Sequence, residues 1–405
     1  MSVRWTAPLG VVAALALSVA LAGCGGGGGS SGSSNVKPPT QNVAPITIDG
    51  GPAQIPDLAF VSVTVCVPGS TTACQTIDHV QVDTGSEGLR ILASVLSPTL
   101  ALPQQTDTAG NAITECAQFV DGYSWGAVRT ADVRIAGETA PGLAVQVIGD
   151  AAFPNVPDTC SSSGPPENTV ESFGANGLLG VGSSAQDCGS ACAQAALSGM
   201  YYTCASAACT PLQIAAAQQL QNPVTLFATD NNGVVIELPL VPAGGAATAT
   251  GSLIFGIGTQ ADNALGNATV LTTNPATGNI VTTWNGHIYT NSYLDAGTNF
   301  VAFGTGTYPV CTGIANGFYC PATGQSVSTT LQGVNLTTSA VNFSFGNADA
   351  LMGANPAFYA FDDIAGPGGD DTTFAWGLPF FFGRSVYTAI EGRSTPGGTG
   401  PYVAF

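Results

Sequence analysis

Positive charge is what this sequence lacks most. Seven Lys and Arg residues stand against 25 Asp and Glu residues, Lys37 is the only lysine, and the formal net charge is −18. A nucleic-acid phosphate backbone is bound by basic surfaces, so this composition excludes nucleic acid as a partner. An acidic protein also repels anionic membrane surfaces, which leaves a covalent or apolar anchor as the route to a membrane.

Histidine is nearly as scarce, since His79 and His287 are the only two in the chain. Each lies on an apolar, strand-like segment ahead of an aspartate, which disfavours a Ser-His-Asp site. The glycine-rich stretches "FGIGTQ" and "GGAATATG" lack the strand-to-helix setting of a phosphate loop. We therefore expect no metal and no organic cofactor.

Glycine, proline and short apolar runs are abundant instead. The 405 residues include 53 Gly and 26 Pro with only 8% charged residues, which favours an all-β protein with many turns and two cores. The segment "ATDNNGVVIEL" predicts a tight hairpin at its Asn-Gly pair. The best helix candidate is "TPLQIAAAQQL", in which Thr210 is the cap and Pro211 the first helical residue.

The N-terminus is typical of an export signal. Arg4 precedes an apolar run that ends in "LAGC", and this ending resembles the lipobox of bacterial lipoproteins. The resemblance implies a signal peptide over 1–23, acyl chains such as palmitate on Cys24, and a Gly/Ser-rich tether over 24–43. A transmembrane anchor is the alternative, but the apolar run is shorter than the roughly 20 residues that span a bilayer. The expected location is the bacterial cell envelope, lipid-anchored, at the outer membrane and facing the periplasm or the surface.

The cysteine count agrees with export, because ten of the 11 cysteines remain once Cys24 is set aside. Two pairs flank short loops and the middle cluster permits a nested arrangement, with a metal site as the disfavoured alternative because no Cys-x2-Cys pair is present. The candidate disulfides are Cys66 with Cys74, Cys311 with Cys320, Cys188 with Cys209, Cys192 with Cys204, and Cys116 with Cys160.

One motif occurs twice. "VQVDTGS" places Asp83 after an apolar strand, and "SYLDAGT" places Asp295 in the same setting 212 residues later. A later apolar segment with glycine follows each motif, at Gly177 and at Gly377. Two similar halves, 44–245 and 246–405, are the economical explanation.

In these motifs the sequence resembles the pepsin-like aspartic peptidases, and more closely a bacterial lipoprotein family with a VDTGSxGLR signature. The resemblance covers roughly residues 55–405. It implies a two-lobed, all-β fold with few short helices, a monomer, and an extended peptide or protein substrate. It also implies Asp83 and Asp295 as the catalytic pair, with Thr84, Gly85, Ser86, Ala296, Gly297 and Thr298 completing the two active-site loops.

The chemistry of such a pair follows from electrostatics. Two carboxylates pressed together cannot both ionise, so they share a proton, and one activates a water while the other protonates the substrate carbonyl. The glycine after each aspartate permits a tight turn and close approach of backbone amides.

The chain departs from the family at several positions. Ala296 replaces a Thr or Ser whose hydroxyl crosses to the other loop, and Phe119 stands where the family has the tyrosine of its flap hairpin. Tyr123 and Trp125 are alternative flap aromatics, with hairpin packing as their other interpretation. Glu87 and Arg90 follow the first motif, and they either tune the pKa of the aspartates or pair with each other.

These departures leave three functional classes open. The first is a working aspartic endopeptidase. The second is a catalytically impaired relative that binds peptide or glycan in its cleft. The third is carboxylate-based glycoside hydrolysis, which requires carboxyl groups about 5 Å or more apart.

Overall fold

Strands form most of the chain, as the apolar runs broken by turn residues predict. The computed structural model describes residues 41–205, 208–304 and 306–405. Within these ranges the strands are β1 Val43–Ile48, β2 Ala59–Cys66, β3 Cys74–Asp83, β4 Glu87–Leu92, β5 Ala112–Gln118, β6 Tyr123–Ile135, β7 Glu138–Ile148, β8 Gly177–Val181, β9 Tyr201–Ala205, β10 Ala208–Pro211, β11 Gly233–Leu238, β12 Ala249–Phe255, β13 Val270–Thr272, β14 Ile280–Trp284, β15 His287–Leu294, β16 Val301–Phe303, β17 Gln325–Gln332, β18 Thr338–Phe345, β19 Ala365–Gly366, β20 Thr373–Trp376, β21 Arg384–Ala389, β22 Ser394–Thr395, β23 Gly398–Thr399 and β24 Tyr402–Ala404.

Helices are few and short, which confirms the expected all-β class. The four α-helices in the described residues are α1 Asp158–Ser161, α2 Val170–Phe173, α3 Ser190–Gln194 and α4 Ala348–Ala354. Five single-turn 3-10 helices cover Ala93–Val95, Ala216–Gln218, Pro223–Leu226, Ala261–Asn263 and Leu378–Phe380. No helix in the described part of the chain is long and apolar enough to cross a membrane.

The strands form two large sheets and one small one. The 15-stranded sheet has the order β10-β9-β5-β6-β7-β4-β8-β3-β2-β1-β12-β11-β21-β24-β13, and an added β2–β6 pairing closes six of its strands on themselves. The seven-stranded sheet has the order β18-β17-β14-β15-β20-β16-β19, and the third sheet pairs β22 with β23.

Strands from both parts of the sequence share the larger sheet. β1 pairs with β12 over six residue pairs, from Val43 opposite Ile254 to Ile48 opposite Ala249. β11 in turn lies between β12 and β21. One large cluster of buried apolar side chains runs through the strands of both halves. The large sheet continues across the predicted boundary between 44–245 and 246–405. The division into two domains therefore stays a prediction.

Two local predictions are wrong. "TPLQIAAAQQL" is not an α-helix, because Thr210 and Pro211 belong to β10, which pairs with β9, and only Ala216–Gln218 forms a helical turn. "ATDNNGVVIEL" is not a hairpin either. Gly233 begins β11, whose partners are the distant β12 and β21, so long-range pairing replaces the local turn.

The described residues contain five disulfides, and three have the predicted partners: Cys66 with Cys74, Cys116 with Cys160, and Cys311 with Cys320. The nested arrangement of the middle cluster is wrong. Its cysteines pair locally instead, Cys188 with Cys192 around the start of α3 and Cys204 with Cys209. The last two are directly opposite in the β9–β10 ladder with Cα atoms 4.1 Å apart, so strand pairing itself brings their sulfurs together.

Candidate active site

The first aspartate lies where three strands meet. Asp83 is the last residue of β3, and β8 runs between β3 and β4. β8 is parallel to β3, which places Gly180 opposite Asp83, and antiparallel to β4, which places Gly180 opposite Gly88. The loop from β3 to β4 therefore crosses over the end of β8, which separates these two strands in the sheet.

The second aspartate has the same surroundings. Asp295 follows β15, and β20 runs between β15 and β16, parallel to the first and antiparallel to the second. Leu294 pairs with Trp376, and the Asp295 amide donates to the Trp376 carbonyl at 3.0 Å. This register brings Gly377 opposite Asp295.

The strand registers correct one detail of the internal repeat. Gly180, rather than Gly177, is the counterpart of Gly377, because each of the two lies opposite its aspartate. Apolar similarity around Gly177 favoured the wrong glycine, since only hydrogen-bonded pairing defines the register of a strand.

Each aspartate is held by its own loop in the same way. The Gly85 amide donates to Asp83 Oδ1 at 2.7 Å, and the Ser86 hydroxyl donates to Asp83 Oδ2. Donors to both carboxylate oxygens fix the orientation of the side chain and leave it facing the opposite loop.

The second loop repeats these contacts with different residues. The Gly297 amide donates to Asp295 Oδ1 at 2.7 Å, and the Thr298 hydroxyl donates to Asp295 Oδ2 at 2.6 Å. Ser86 and Thr298 are therefore equivalent, which explains why the motif needs a hydroxyl three residues after each aspartate.

The two carboxyl groups face each other across the glycines. A Cβ atom on Gly85 would lie 2.9 Å from Asp295 Cγ, and one on Gly297 would lie 2.6 Å from Asp83 Oδ1, so neither position admits a larger residue. Burial, the charge of Asp295 and a hydrogen bond to it raise the pKa of Asp83 well above its usual value. The structure therefore brings the two predicted carboxyls together in the geometry that favours a shared proton.

A hydroxyl crosses between the loops on one side. The buried Thr84 Oγ1 accepts from the Ala296 amide at 3.0 Å and donates to the Leu294 carbonyl at 3.3 Å. Ala296 is fully buried and offers no hydroxyl in return. The hydroxyl link between the two loops thus comes from Thr84, without a counterpart from Ala296.

Two further residues border the pair and were missed. Gln81 and Tyr293 each precede an aspartate by two residues, so the alternation of a strand puts them on the same face as that aspartate. Gln81 Nε2 donates to the Gly297 carbonyl at 2.9 Å, a second contact between the loops. Burial and the two aspartates raise the pKa of Tyr293 to about 12. The sequence signal that could have identified Gln81 and Tyr293 is their position two residues before each aspartate on a strand.

The carboxyl pair lies in a cavity of about 750 Å³ that is lined from both halves of the chain. Its lining includes the β5–β6 hairpin, the loop after β8 and the segment between β13 and β14. Its volume lies within the range of ligand-binding pockets.

Of the candidate flap aromatics, only Phe119 reaches this cavity. Phe119 is at the turn of the β5–β6 hairpin, where it packs edge-on against Phe173. Tyr123 and Trp125 are buried away from the cavity, and Trp125 Nε1 donates to the Phe153 carbonyl at 3.0 Å. Hairpin packing is therefore the role of Tyr123 and Trp125.

Glu87 and Arg90 do not pair through their side chains, which was one of the two alternatives, and neither is among the groups that shift the pKa of Asp83, which was the other. Glu87 Oε1 accepts from the Ser184 amide at 2.9 Å, and burial raises the pKa of Glu87 to about 7. The Arg90 guanidinium contacts Glu87 through the backbone carbonyl, at 2.8 Å.

Arg90 instead belongs to a buried ionic cluster that sequence reasoning did not find. Arg90 Nη2 is 2.6 Å from Glu115 Oε1 and 3.5 Å from Asp187 Oδ2. The Tyr201 hydroxyl is 2.8 Å from both Asp187 oxygens. Burial alone lowers the pKa of Arg90, but Glu115 and Asp187 outweigh it and raise the pKa. These residues are far apart in sequence and share no motif, so no local pattern links them.

The histidines take no part in the cavity lining. His79 Nε2 is 3.4 Å from Asp49 Oδ2, and His287 Nε2 is 2.6 Å from the Asp371 carbonyl oxygen. The one metal-like group within the described residues joins Asp349 to Cys311 and Cys320, whose sulfurs already form a disulfide and are not free to bind an ion.

Comparison with known proteins assigns the chain to a family. Residues 38–405 match a family described as "Protein of unknown function (DUF3443)". The chain belongs to this family. Both aspartate loops of this DUF3443 member lie within the matched region. No curated protein matches the chain.

The expected signal peptide over 1–23 and the lipid-bearing Cys24 lie outside the residues that the structure describes, as does most of the tether over 24–43. They stay predictions from the sequence.

Proposed function

We propose that this protein is an aspartic endopeptidase related in architecture to the pepsin-like enzymes, with one lobe around each aspartate. The observation that carries the proposal is the equivalence of the two loops. Asp83 ends a strand and Asp295 directly follows one; each accepts an amide and a hydroxyl hydrogen bond from its own loop, and the two face each other across a glycine. Both carboxyls line the same cavity of about 750 Å³.

The chemistry follows from one proton shared by two carboxyls. The ionised member accepts a proton from a water, the water oxygen attacks the peptide carbonyl, and the protonated member donates to the carbonyl oxygen. The raised pKa of Asp83 keeps the shared proton bound to a higher pH than an isolated aspartate would. Activity should therefore fall as the pH rises through that pKa, because the proton is lost.

The proposed setting is the one that the sequence indicates: a monomeric lipoprotein of the bacterial cell envelope, anchored through Cys24, that acts on extended peptides or proteins. The cavity contains carboxyl, hydroxyl and amide groups suited to hydrolysis by an activated water. Glycoside hydrolysis fits less well, since carboxyls in hydrogen-bond contact leave less than the roughly 5 Å that such enzymes use.

A binding protein of impaired activity is the second candidate. Ala296 and Phe119 favour it, because the first removes one of two crossing hydroxyls and the second removes the polar group of the flap. Both losses reduce positioning and leave the carboxyl pair itself intact, so slow turnover is the expected consequence.

Proteolysis of a broad peptide library tests the proposal. Wild type should cleave best at acidic pH between about 3 and about 7, a statine-type inhibitor should block cleavage, and Asp83→Asn should lower kcat by about a thousandfold or more. Asp78→Asn is a matched control on the same strand, since Asp78 is largely exposed and outside the cavity. Equal rates for wild type and Asp83→Asn would overturn the peptidase proposal and leave the binding candidate.

A further inference from the structure

The two aspartates are equivalent, but the rows of side chains beside them are not. Next to Asp83, strand pairing aligns Gln81 of β3 with Leu178 of β8 and Leu178 with Arg90 of β4, and all three line the cavity. Gln81 Nε2 donates to the Gly297 carbonyl, and the Arg90 guanidinium is held by its ionic cluster. The polar side chains of this row are therefore already bound to other parts of the protein.

The row beside Asp295 is more open. Tyr293 of β15 pairs with Ala375 of β20, and Ala375 pairs with Ala302 of β16. All three residues line the cavity, and the two alanine side chains are small, so space remains next to the tyrosine ring. The half-buried ring packs against the buried apolar cluster that contains both alanines. This packing fixes the ring at one wall of the cavity.

The Tyr293 hydroxyl is open to the cavity. Within the described residues it has no hydrogen-bond partner, and it is not a buried unsatisfied group, because its oxygen keeps accessible surface. Burial and the charges of Asp295 and Asp83 raise the pKa of Tyr293 to about 12, so the phenol stays protonated at and below neutral pH. Tyr293 therefore offers a neutral donor within electrostatic reach of both carboxyls.

A substrate atom can fit between this hydroxyl and the pair. Residues two apart on a strand are separated by about 7 Å, and the side chains of Tyr293 and Asp295 lie on the same face. Both oxygens of Asp295 accept from Gly297 and Thr298, and neither is bonded to the phenol. Phe119, on the hairpin that also borders the cavity, brings no hydroxyl. Tyr293 is the only tyrosine of the cavity lining in the described part of the chain.

On the basis of the proposed function, we infer that Tyr293 is a third catalytic residue, whose hydroxyl donates a hydrogen bond to the oxygen of the peptide carbonyl under attack. That oxygen has two lone pairs, of which one takes the proton of the protonated carboxyl and the other accepts from the phenol. Tyr293 keeps its own proton throughout. The hydrogen bond strengthens as the water oxygen adds to the carbon and charge moves onto the carbonyl oxygen, so it stabilises the transition state more than the bound substrate.

Tyr293→Phe tests the inference, because it removes the hydroxyl and keeps the ring. We expect kcat to fall at least about tenfold while KM stays within about threefold, since the lost hydrogen bond acts mainly in the transition state. An unchanged kcat would overturn the inference. A raised KM with unchanged kcat would overturn it too, because the hydroxyl would then bind substrate without assisting the reaction.

Tyr289→Phe is the matched control. Tyr289 lies on the same strand and is 3% exposed, but it does not line the cavity, so its variant should keep the wild-type kcat and KM. Thermal unfolding of both variants checks the fold, and Tyr293→Phe should unfold within a few degrees of wild type because its hydroxyl has no partner among the described residues. An equal loss of kcat in the two variants would contradict a specific role for Tyr293.

Inhibitor binding separates this inference from the proposed function. Two non-cleavable peptides of otherwise identical sequence are titrated into wild type and Tyr293→Phe. One carries a hydrated difluoroketone, with two oxygens on the central carbon, and the other a statine-type single hydroxyl. Tyr293→Phe should weaken binding of the hydrated ketone at least about tenfold more than binding of the statine peptide, because only the former mimics both oxygens of the intermediate.

The combined outcomes distinguish the two claims. A selective loss of hydrated-ketone binding without any cleavage by wild type would sink the peptidase proposal and leave the assignment of Tyr293 as the donor. Cleavage by wild type with equal losses for both inhibitors would sink the assignment of Tyr293 alone. No cleavage and no binding of either inhibitor would overturn both.

Discussion

At the scale of single residues, the site depends on hydroxyls and glycines more than on the aspartates alone. Ser86 and Thr298 orient one carboxylate each, and Thr84 joins the loops through the Ala296 amide and the Leu294 carbonyl. Because Ala296 has no hydroxyl, only Thr84 supplies a side-chain hydroxyl between the two loops, and its two hydrogen bonds still join them. The Asp83 and Asp295 carboxyls therefore lie close together even though Ala296 departs from the pepsin-like pattern.

Glu87 gives the first residue-level prediction, which concerns pH. Burial raises its pKa from 4.5 to about 7, so between these values the folded protein holds a proton that the unfolded chain has released. The stability contributed by this group is full below about pH 4.5 and is lost as the pH rises through about 7. Because Glu87 keeps part of its surface exposed, we expect a loss of about 2 kcal/mol rather than the full shift.

The variant Glu87→Gln checks this. Glutamine still accepts from the Ser184 amide but cannot ionise, so it should match wild type near pH 4 and exceed it by about 2 kcal/mol above pH 7. Urea unfolding at several pH values measures the difference. Parallel stability curves for the two proteins would contradict the prediction.

At the scale of elements, the β5–β6 hairpin joins the turn that carries Phe119 to the ionic cluster of Arg90, Glu115 and Asp187. Glu115 is opposite Gly126 in this hairpin, and Gly126 in turn is opposite Ile148 of β7. Position 126 has no room for a side chain. A Cβ atom at Gly126 would lie 1.8 Å from the Val147 carbonyl oxygen, which belongs to the neighbouring backbone and cannot move independently.

Gly126→Ala is therefore expected to separate β6 from β7. We expect a loss of about 3 kcal/mol in the free energy of unfolding. Gly324→Ala is the matched control: nothing lies within 4 Å of its Cβ position, and its effect should stay within about 0.5 kcal/mol. A similar loss in both variants, measured by urea unfolding, would show that close packing at Gly126 is not the cause.

At the scale of the whole molecule, strands from the first half of the chain pair with strands from the second half. β1 depends on β12 for most of its pairing, and β11 has both of its partners, β12 and β21, beyond residue 245. The aspartates come from different large sheets, with Asp83 in the 15-stranded sheet and Asp295 directly after a strand of the seven-stranded sheet. Their contact thus depends on how the sheets pack.

A fragment of residues 41–245 tests this dependence. Without β12 and β21, β1 and β11 are exposed as unpaired edges, so the fragment should aggregate or unfold without a cooperative transition, in contrast to residues 41–405. Circular dichroism with thermal unfolding and size-exclusion chromatography measure both properties. A monomeric fragment with its own sharp transition would instead support two lobes that fold independently.

Sequence alone was sufficient for much of this protein, because some properties are local. The strand-rich class follows from composition, three disulfides from short spacings or an even count, and the two aspartate loops from a repeated tetrapeptide. In each case neighbours along the chain carry the physical cause. The same local reasoning failed at "TPLQIAAAQQL", at the Asn-Gly turn before β11 and at Gly177, where strands from distant segments decide the conformation.

What only the tertiary structure decided is the electrostatic environment of the aspartates. Arg90, Glu115, Asp187 and Tyr201 meet because four different segments fold together, and burial then raises the pKa values of Asp187 and Tyr201 well above their usual values. The sequence determined that two equivalent aspartates exist, each followed by a glycine and then a hydroxyl residue. The fold determined that they face each other, which hydroxyl joins their loops, and which charged residues lie beside them, because proximity across sheets has no periodicity that a linear sequence displays.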